Sequence, residues 1–221
     1  MSLPFTRVVD LAVPMTSMDT PVYPGYPQPL RTSFTTLRDD GYASYVWSFV
    51  EHVSTHVDAP IHMVKGGTTV DRMPLTRYIG RGVVLDFSKR PKRFQIKRAD
   101  VEKAMAETGH AGEVGKGWVV LFYVGYTAKN RSPDWMEHPD ITKEAAAYLV
   151  GLGVEAVGVD APGPDHPPFD AHHTFLPKDV VIFENLANLD RLVGKEFFFV
   201  GTPIALEGGT AGITRPVALL M

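Results

Sequence analysis

The chain has 221 residues, with 44% hydrophobic and 21% charged residues, no cysteine and a formal net charge of -3. That length suits one generous domain or two small ones, in the compositional range of folded globular proteins rather than disordered ones. The absence of cysteine excludes disulfide frameworks, thiolate zinc sites, iron–sulfur clusters and cysteine nucleophiles, and the slight acidity gives no electrostatic case for nucleic acid or an anionic membrane as partner.

From the N-terminus, residues 1–15 (MSLPFTRVVDLAVPM) lack the basic start and apolar run of a secretory leader. No stretch of about 18 uninterrupted apolar residues occurs, so the expectation is a cytoplasmic protein without a membrane span. Residues 3–13 and 45–53 read as strands, and residues 20–29 (TPVYPGYPQP) as an irregular loop suited to a pocket wall. Residues 82–87 (GVVLDF) form a short apolar run bounded by charge, which reads as a buried strand. A helical pattern follows over 100–108, stopped by Gly109, and residues 118–124 (WVVLFYV) give the strongest strand signal. Residues 142–150 (TKEAAAYLV) predict a helix capped by Thr142 and closed at Gly151, and strands are expected at 154–160, 180–184 and 197–206. The alternation predicts α/β architecture, in one domain over residues 1–221.

The 8 histidines are unevenly spread, and three fall within eleven residues: His52, His56 and His62, with Asp58 among them. Neutral imidazole and carboxylate are natural ligands for zinc and its neighbours, and without cysteine any metal must use them. Extended chain covers about 13 Å between His52 and His56, too far for both to reach one ion at about 2 Å. The segment between them must therefore curl. His56 and Asp58, two apart, share a strand face and converge directly. Pro60 pushes Ala59 toward extended geometry, and His62 falls nearby but displaced.

Further candidates lie downstream. His172 and His173 are adjacent, so only one of them faces a given site. Glu184 ends the apolar run 180–183, where a carboxylate is costly to bury without a partner such as a metal. Asp160 suits either the orienting of a ligand histidine or the start of a loop, and His166 suits a supporting position. His138, in a polar loop, is expected to face solvent, and His110 to cap a helix end. Tyr23, Tyr26, Tyr42, Tyr45 and Trp47 are candidate walls for a flat aryl group, and Arg215 is a candidate partner for a substrate carboxylate.

The run Thr55-His56-Val57-Asp58-Ala59-Pro60-Ile61-His62, with His52 ahead of it, resembles the signature of the putative cyclase family, which includes bacterial kynurenine formamidases (arylformamidases) and isatin hydrolases. The likeness extends to Pro21-Val22-Tyr23-Pro24-Gly25, to Gly158-Val159-Asp160, to His172 with Glu184-Asn185-Leu186, and to residues 208–218. It implies a swivelling β/β/α domain with a mixed sheet, assembled as a homodimer or homotetramer. It also implies two divalent metal ions, zinc or in some members manganese. His52, His56 and Asp58 would bind the first, and Asp58 would bridge to a second held by His172 and Glu184, with Glu184 also reaching the first. His62 would be the catalytic acid/base. Ser54 stands where a glycine is usual, and Tyr23 where formamidases often carry a tryptophan. Two dications facing two carboxylates favour a bridging hydroxide, so the chemistry implied is hydrolysis of an aryl formamide or related amide. The alternatives are a cyclic amide or lactone hydrolase resembling isatin hydrolase, or a non-catalytic metal-binding domain.

Overall fold

The apolar runs at 82–87, 118–124, 154–160 and 180–184 become neighbouring strands at the centre of one large sheet. The computed structural model describes residues 5–221. In chain order its first elements are β1 (Arg7–Asp10), β2 (Leu30–Thr35), α1 (Leu37–Asp40), β3 (Ser44–Ser48), β4 (His56–Asp58), β5 (Ile79–Asp86), β6 (Gln95–Ile96), α2 (Arg98–Glu107) and β7 (Trp118–Tyr123). Then come β8 (Asp140–Ile141), α3 (Lys143–Leu152), β9 (Ala156–Val159), α4 (His172–Phe175), β10 (Val181–Glu184), β11 (Phe197–Val200), β12 (Ala211–Ile213) and β13 (Val217–Leu220).

Among the described residues nine strands make a mixed sheet in the order β1-β13-β11-β5-β7-β9-β10-β4-β12. The central β5, β7, β9 and β10 run parallel, while antiparallel strands extend the sheet on both sides. A parallel centre is buried on both faces, which is why its strands read as unbroken apolar runs. On one face, Val101 and Met105 of α2 and Ala145 and Leu149 of α3 pack against Leu85, Val120 and Phe122. On the other, Val57, Leu121, Phe183 and Phe199 meet Leu11, Leu189 and Leu192 from connecting segments. The result is one α/β domain.

Several element ends differ from the sequence reading. Thr142 caps α3 as expected, but the helix runs through Gly151 to Leu152, because Gly153 takes the left-handed conformation (φ +80°) and returns its N–H to helix carbonyls. Strand 197–206 stops at Val200, since the Gly201 N–H turns to the carbonyl of Tyr78 and Pro203 has no donor. Of 3–13 only β1 pairs, and residues 3 and 4 lie outside the described residues. The expected strand at 45–53 is realised as β3, paired with the unanticipated β2 in a hairpin outside the main sheet. Among the described residues no helix is long and apolar enough to cross a membrane.

Candidate metal centre

The centre grows from two paired strands. β4 and β10 run antiparallel with Glu184 opposite His56 and Ile182 opposite Asp58. Cross-strand partners share a sheet face, as do residues two apart, so His56, Asp58 and Glu184 emerge together. Ahead of β4 the chain curls through Ser54 in the left-handed region (φ +54°), which returns His52 over the strand. The Ser54 hydroxyl donates to the Val13 carbonyl at 2.7 Å, and the Ser54 carbonyl accepts from Asn185 Nδ2 at 3.1 Å. Beyond β4, Ala59 is extended (φ -98°, ψ 159°) and Pro60 opens a short 3-10 turn ending at His62. The His62 ring centroid lies 4.0 Å from that of His52 and 6.1 Å from that of His172. α4 carries His172 inward, while the adjacent His173 is exposed.

Distances between donor atoms are short. His52 Nδ1 lies 2.9 Å, and His56 Nε2 3.3 Å, from Asp58 Oδ1. His56 Nε2 is also 3.3 Å from Glu184 Oε2. His172 Nε2 lies 3.5 Å from Asp58 Oδ2 and 3.3 Å from Glu184 Oε1. Each of these three rings is held from behind. His56 Nδ1 donates to the Ser54 carbonyl at 3.0 Å and His172 Nδ1 to Asp165 Oδ1 at 2.6 Å. Thr210 Oγ1 donates to Glu51 Oε2 at 2.5 Å, so it accepts from His52 Nε2 at 3.0 Å. These acceptors hold the outer nitrogens as donors, so in the neutral rings the inward nitrogens are the ones available to a cation.

A cation fits this arrangement on a structural test. His56 Nε2 and both Asp58 carboxylate oxygens are buried with no hydrogen-bond partner among the described residues, although other ligand atoms lie close. A buried carboxylate so placed is costly unless a charge compensates it, and an imidazole–carboxylate donor set suits a divalent ion. One ligand atom each from His52, His56 and Asp58 lies within 4.8 Å of the others, and the same holds for Asp58, His62 and His172. Asp58 is common to both groups.

Electrostatics agree. Burial alone would raise the Asp58 pKa, but His52, His172 and His56 hold it well below the usual carboxylate range. Burial and Asp58 push Glu184 upward, and His172 and His56 outweigh them. Burial opposes charge on His56, yet Asp58 and Glu184 carry it up to about 10. Asp165, Asp58 and Glu184 raise His172 in the same way against its own burial. Positive charge on the inward faces of His56 and His172 is thus favoured by the two carboxylates, and a divalent cation would take the place of those protons. His62 differs: burial lowers its pKa and keeps the ring neutral.

A cavity of about 250 Å³ opens onto the nest, walled by Tyr23, Tyr26, Met63, Trp135, His138 and Phe169 among others. Tyr42, Tyr45 and Trp47 lie on the β2–β3 hairpin or its connection rather than in this wall. Arg215 requires correction as a substrate contact: it does not line the cavity, and its guanidinium pairs with Asp10 at 2.8 and 3.0 Å on the surface. His138 also departs from expectation, being 1% exposed against the cavity, because its loop folds inward. Asp160 anchors a loop, accepting from the N–H groups of Val124 at 2.6 Å and Gly125 at 2.9 Å. Orientation of His172 falls instead to Asp165, which the sequence reading missed, as it missed Glu51 and Thr210. Features pointed to two of the three: Asp165 sits in a proline-rich loop seven residues before His172, and Thr210 is the hydroxyl residue of the glycine loop 208–212.

Comparison with known proteins agrees with this geometry. The family model described as Putative cyclase matches residues 9–166. The isatin hydrolase of Roseibium aggregatum is 33% identical over 201 residues, covering 80% of this chain and 75% of that protein. The kynurenine formamidase of Salinibacter ruber is 30% identical over 216 residues, covering 90% and 91%. An isatin hydrolase bound to the product analogue thioisatinate shares the fold with a TM-score of 0.86 at 24% identity, covering 96% of this chain and 92% of that one. A structure described as a potential metal-dependent hydrolase with cyclase activity superposes with a TM-score of 0.79 at 26% identity, covering 97% and 98%. Fold, nest and relatives together define a metal-dependent hydrolase. The chain belongs to the putative cyclase family.

Proposed function

We propose that this protein hydrolyses an aryl formamide or related amide, with an N-formylkynurenine-like substrate, at a site holding two divalent cations. The observation that carries the reading is the Asp58 carboxylate, buried with both oxygens unbonded between groups of inward imidazoles. In this reading His52, His56 and Asp58 hold one cation, and His172 and Glu184 share Asp58 to hold the other, with Glu184 also reaching the first. Zinc suits these nitrogen and oxygen donors, and manganese is the alternative. Bound there, the cations would supply Lewis acidity that activates water and polarises the scissile carbonyl. The neutral ring of His62, at the cavity edge of the nest, takes up a proton and delivers it to the departing nitrogen. Tyr23 and Tyr26, whose ring centroids are 5.9 Å apart, flank the aryl group.

A second reading, hydrolysis of a cyclic amide such as isatin, is favoured by the 33% identity to an isatin hydrolase. Elemental analysis of the purified protein, together with hydrolysis rates for N-formylkynurenine and isatin before and after chelation, tests both. Chelator-sensitive turnover of N-formylkynurenine supports the first reading, and turnover of isatin alone supports the second. Bound metal with neither activity overturns both and leaves a metal-binding domain. We also infer self-association, as a homodimer or homotetramer, supported by the aromatic side chains that the β2–β3 hairpin leaves exposed, Phe34 at 74% and Tyr45 at 51%.

A further inference from the structure

His138 is left over from the site as so far described. It is buried, it lines the same cavity as the metal nest, and it belongs to neither group of donors around Asp58. Its Nδ1 faces the carbonyl of Pro139 at 2.9 Å, and a carbonyl only accepts, so Nδ1 carries the hydrogen. Burial and the neighbouring His166 pull the His138 pKa down to about 4, which keeps the ring neutral. Nε2 is therefore a bare acceptor, and among the described residues no protein group donates to it.

The ring is also fixed in place. His166 stacks on it with centroids 4.0 Å apart and planes 19° from parallel. His166 is itself clamped, through Nδ1 to Asp140 Oδ1 and through Nε2 to the Met136 carbonyl at 2.8 Å. Gln95 Nε2 donates to the other Asp140 oxygen at 2.5 Å. His138, Asp140 and His166 offer ligand atoms within 4.8 Å of one another, the spacing of a cation site. However, both His166 nitrogens and Nδ1 of His138 already have oxygen partners, so too few lone pairs remain for a metal. The cluster is a buttress behind His138. On the same turn, Trp135 lines the cavity with its Nε1–H buried and unpartnered. Trp135 Nε1 is thus a second polar group of this wall with no partner among the described residues, placed to meet a ligand in the cavity.

We propose that His138 is a specificity residue: its Nε2 accepts a hydrogen bond from the N–H of the bound substrate, so that the cavity selects N–H-bearing aryl amides over esters of the same shape. This rests on the hydrolase reading above and narrows its substrate class. An acceptor that the bound substrate seals from water discriminates, because an ester leaves it unpaired next to an oxygen lone pair.

The test measures kcat/KM for formanilide and for phenyl formate, in which oxygen replaces the N–H. Wild type is compared with His138→Phe, which retains a ring to stack on His166, and with His138→Gln, which retains an acceptor. In His138→Phe the formanilide value should fall about 10- to 100-fold while that for phenyl formate changes less than about threefold, metal content staying at the wild-type level. His138→Gln should recover part of the lost amide preference. Equal losses on both substrates, or no loss on either, overturn the proposal. Should His138→Phe not fold, inhibition of the wild-type enzyme by acetanilide and by phenylacetone, in which CH2 replaces N–H, decides the matter. Acetanilide should bind at least about tenfold more tightly, and equal affinity overturns the proposal. Wild type inert toward formanilide and phenyl formate, with N-formylkynurenine and isatin also untouched, defeats the hydrolase reading itself. Turnover with an unchanged amide-to-ester ratio defeats only the role of His138.

Discussion

Asp165 accepts the Nδ1–H of His172 at 2.6 Å and so turns Nε2 of the same ring toward Asp58 and Glu184. The second Asp165 oxygen accepts the N–H of Ala171 at 2.5 Å, at the start of the helical turn that carries His172. One carboxylate thus sets both the tautomer of the imidazole and the position of its backbone. In Asp165→Asn, an amide NH2 must face a donor on one side or the other, so one of the two bonds is lost. Metal affinity should fall about 10- to 100-fold with the fold intact. Competitive titration with a chromophoric chelator measures it, and unchanged affinity would show that His172 needs no such support.

Ser54 offers a test of backbone strain. A side-chain-bearing residue in the left-handed region costs about 1 kcal/mol, and the Ser54 hydroxyl bond to Val13 returns about 1 kcal/mol. Ser54→Ala loses the bond and keeps the strain, whereas Ser54→Gly loses both. Urea denaturation should therefore rank glycine above alanine by about 1 kcal/mol. The reverse order would mean that the curl between His52 and His56 is unstrained.

Much of this was legible in sequence because it is local. The strand β7 is an uninterrupted apolar run, and a run of that kind is what a doubly covered parallel strand requires. The clustering of His52, His56 and Asp58 was legible in their spacing, and the curl that this spacing demands is made at Ser54. What escaped depends on distant chain. Arg215 finds Asp10 some 205 residues away, a pairing that no local pattern encodes. His138 sits in Glu137-His138-Pro139-Asp140, which reads as a solvent-facing loop until the sheet supplies a cavity for it to line. The hairpin aromatics likewise looked like pocket walls, since their composition is the same in either place.

His138 also predicts a pH dependence. Its folded pKa is near 4 against 6.5 for an unperturbed imidazole, so between those values the unfolded chain binds more protons than the folded one. The stability from keeping His138 neutral is fully present above pH 6.5 and is lost as pH falls through 4. The difference amounts to on the order of 3 kcal/mol. Across that window, wild type should lose this much more stability than His138→Phe. Parallel profiles for the two proteins would show that the folded imidazole titrates normally.

The hairpin predicts a concentration-dependent assembly. Two-stranded hairpins are marginal alone, and this one exposes Phe34, Tyr45 and Val46. Phe34→Glu should lower the mass seen by light scattering without lowering the melting temperature of the dissociated chain. A wild-type protein that is monomeric at all concentrations would remove the basis for self-association.

Metal stoichiometry per chain, measured by mass spectrometry of the elements after equilibration with zinc and gel filtration, bears most directly on the nest around Asp58. Two equivalents are expected in wild type and in His62→Ala, and less than one in Asp58→Asn. Equal metal content in wild type and Asp58→Asn, or none in wild type, would contradict the account.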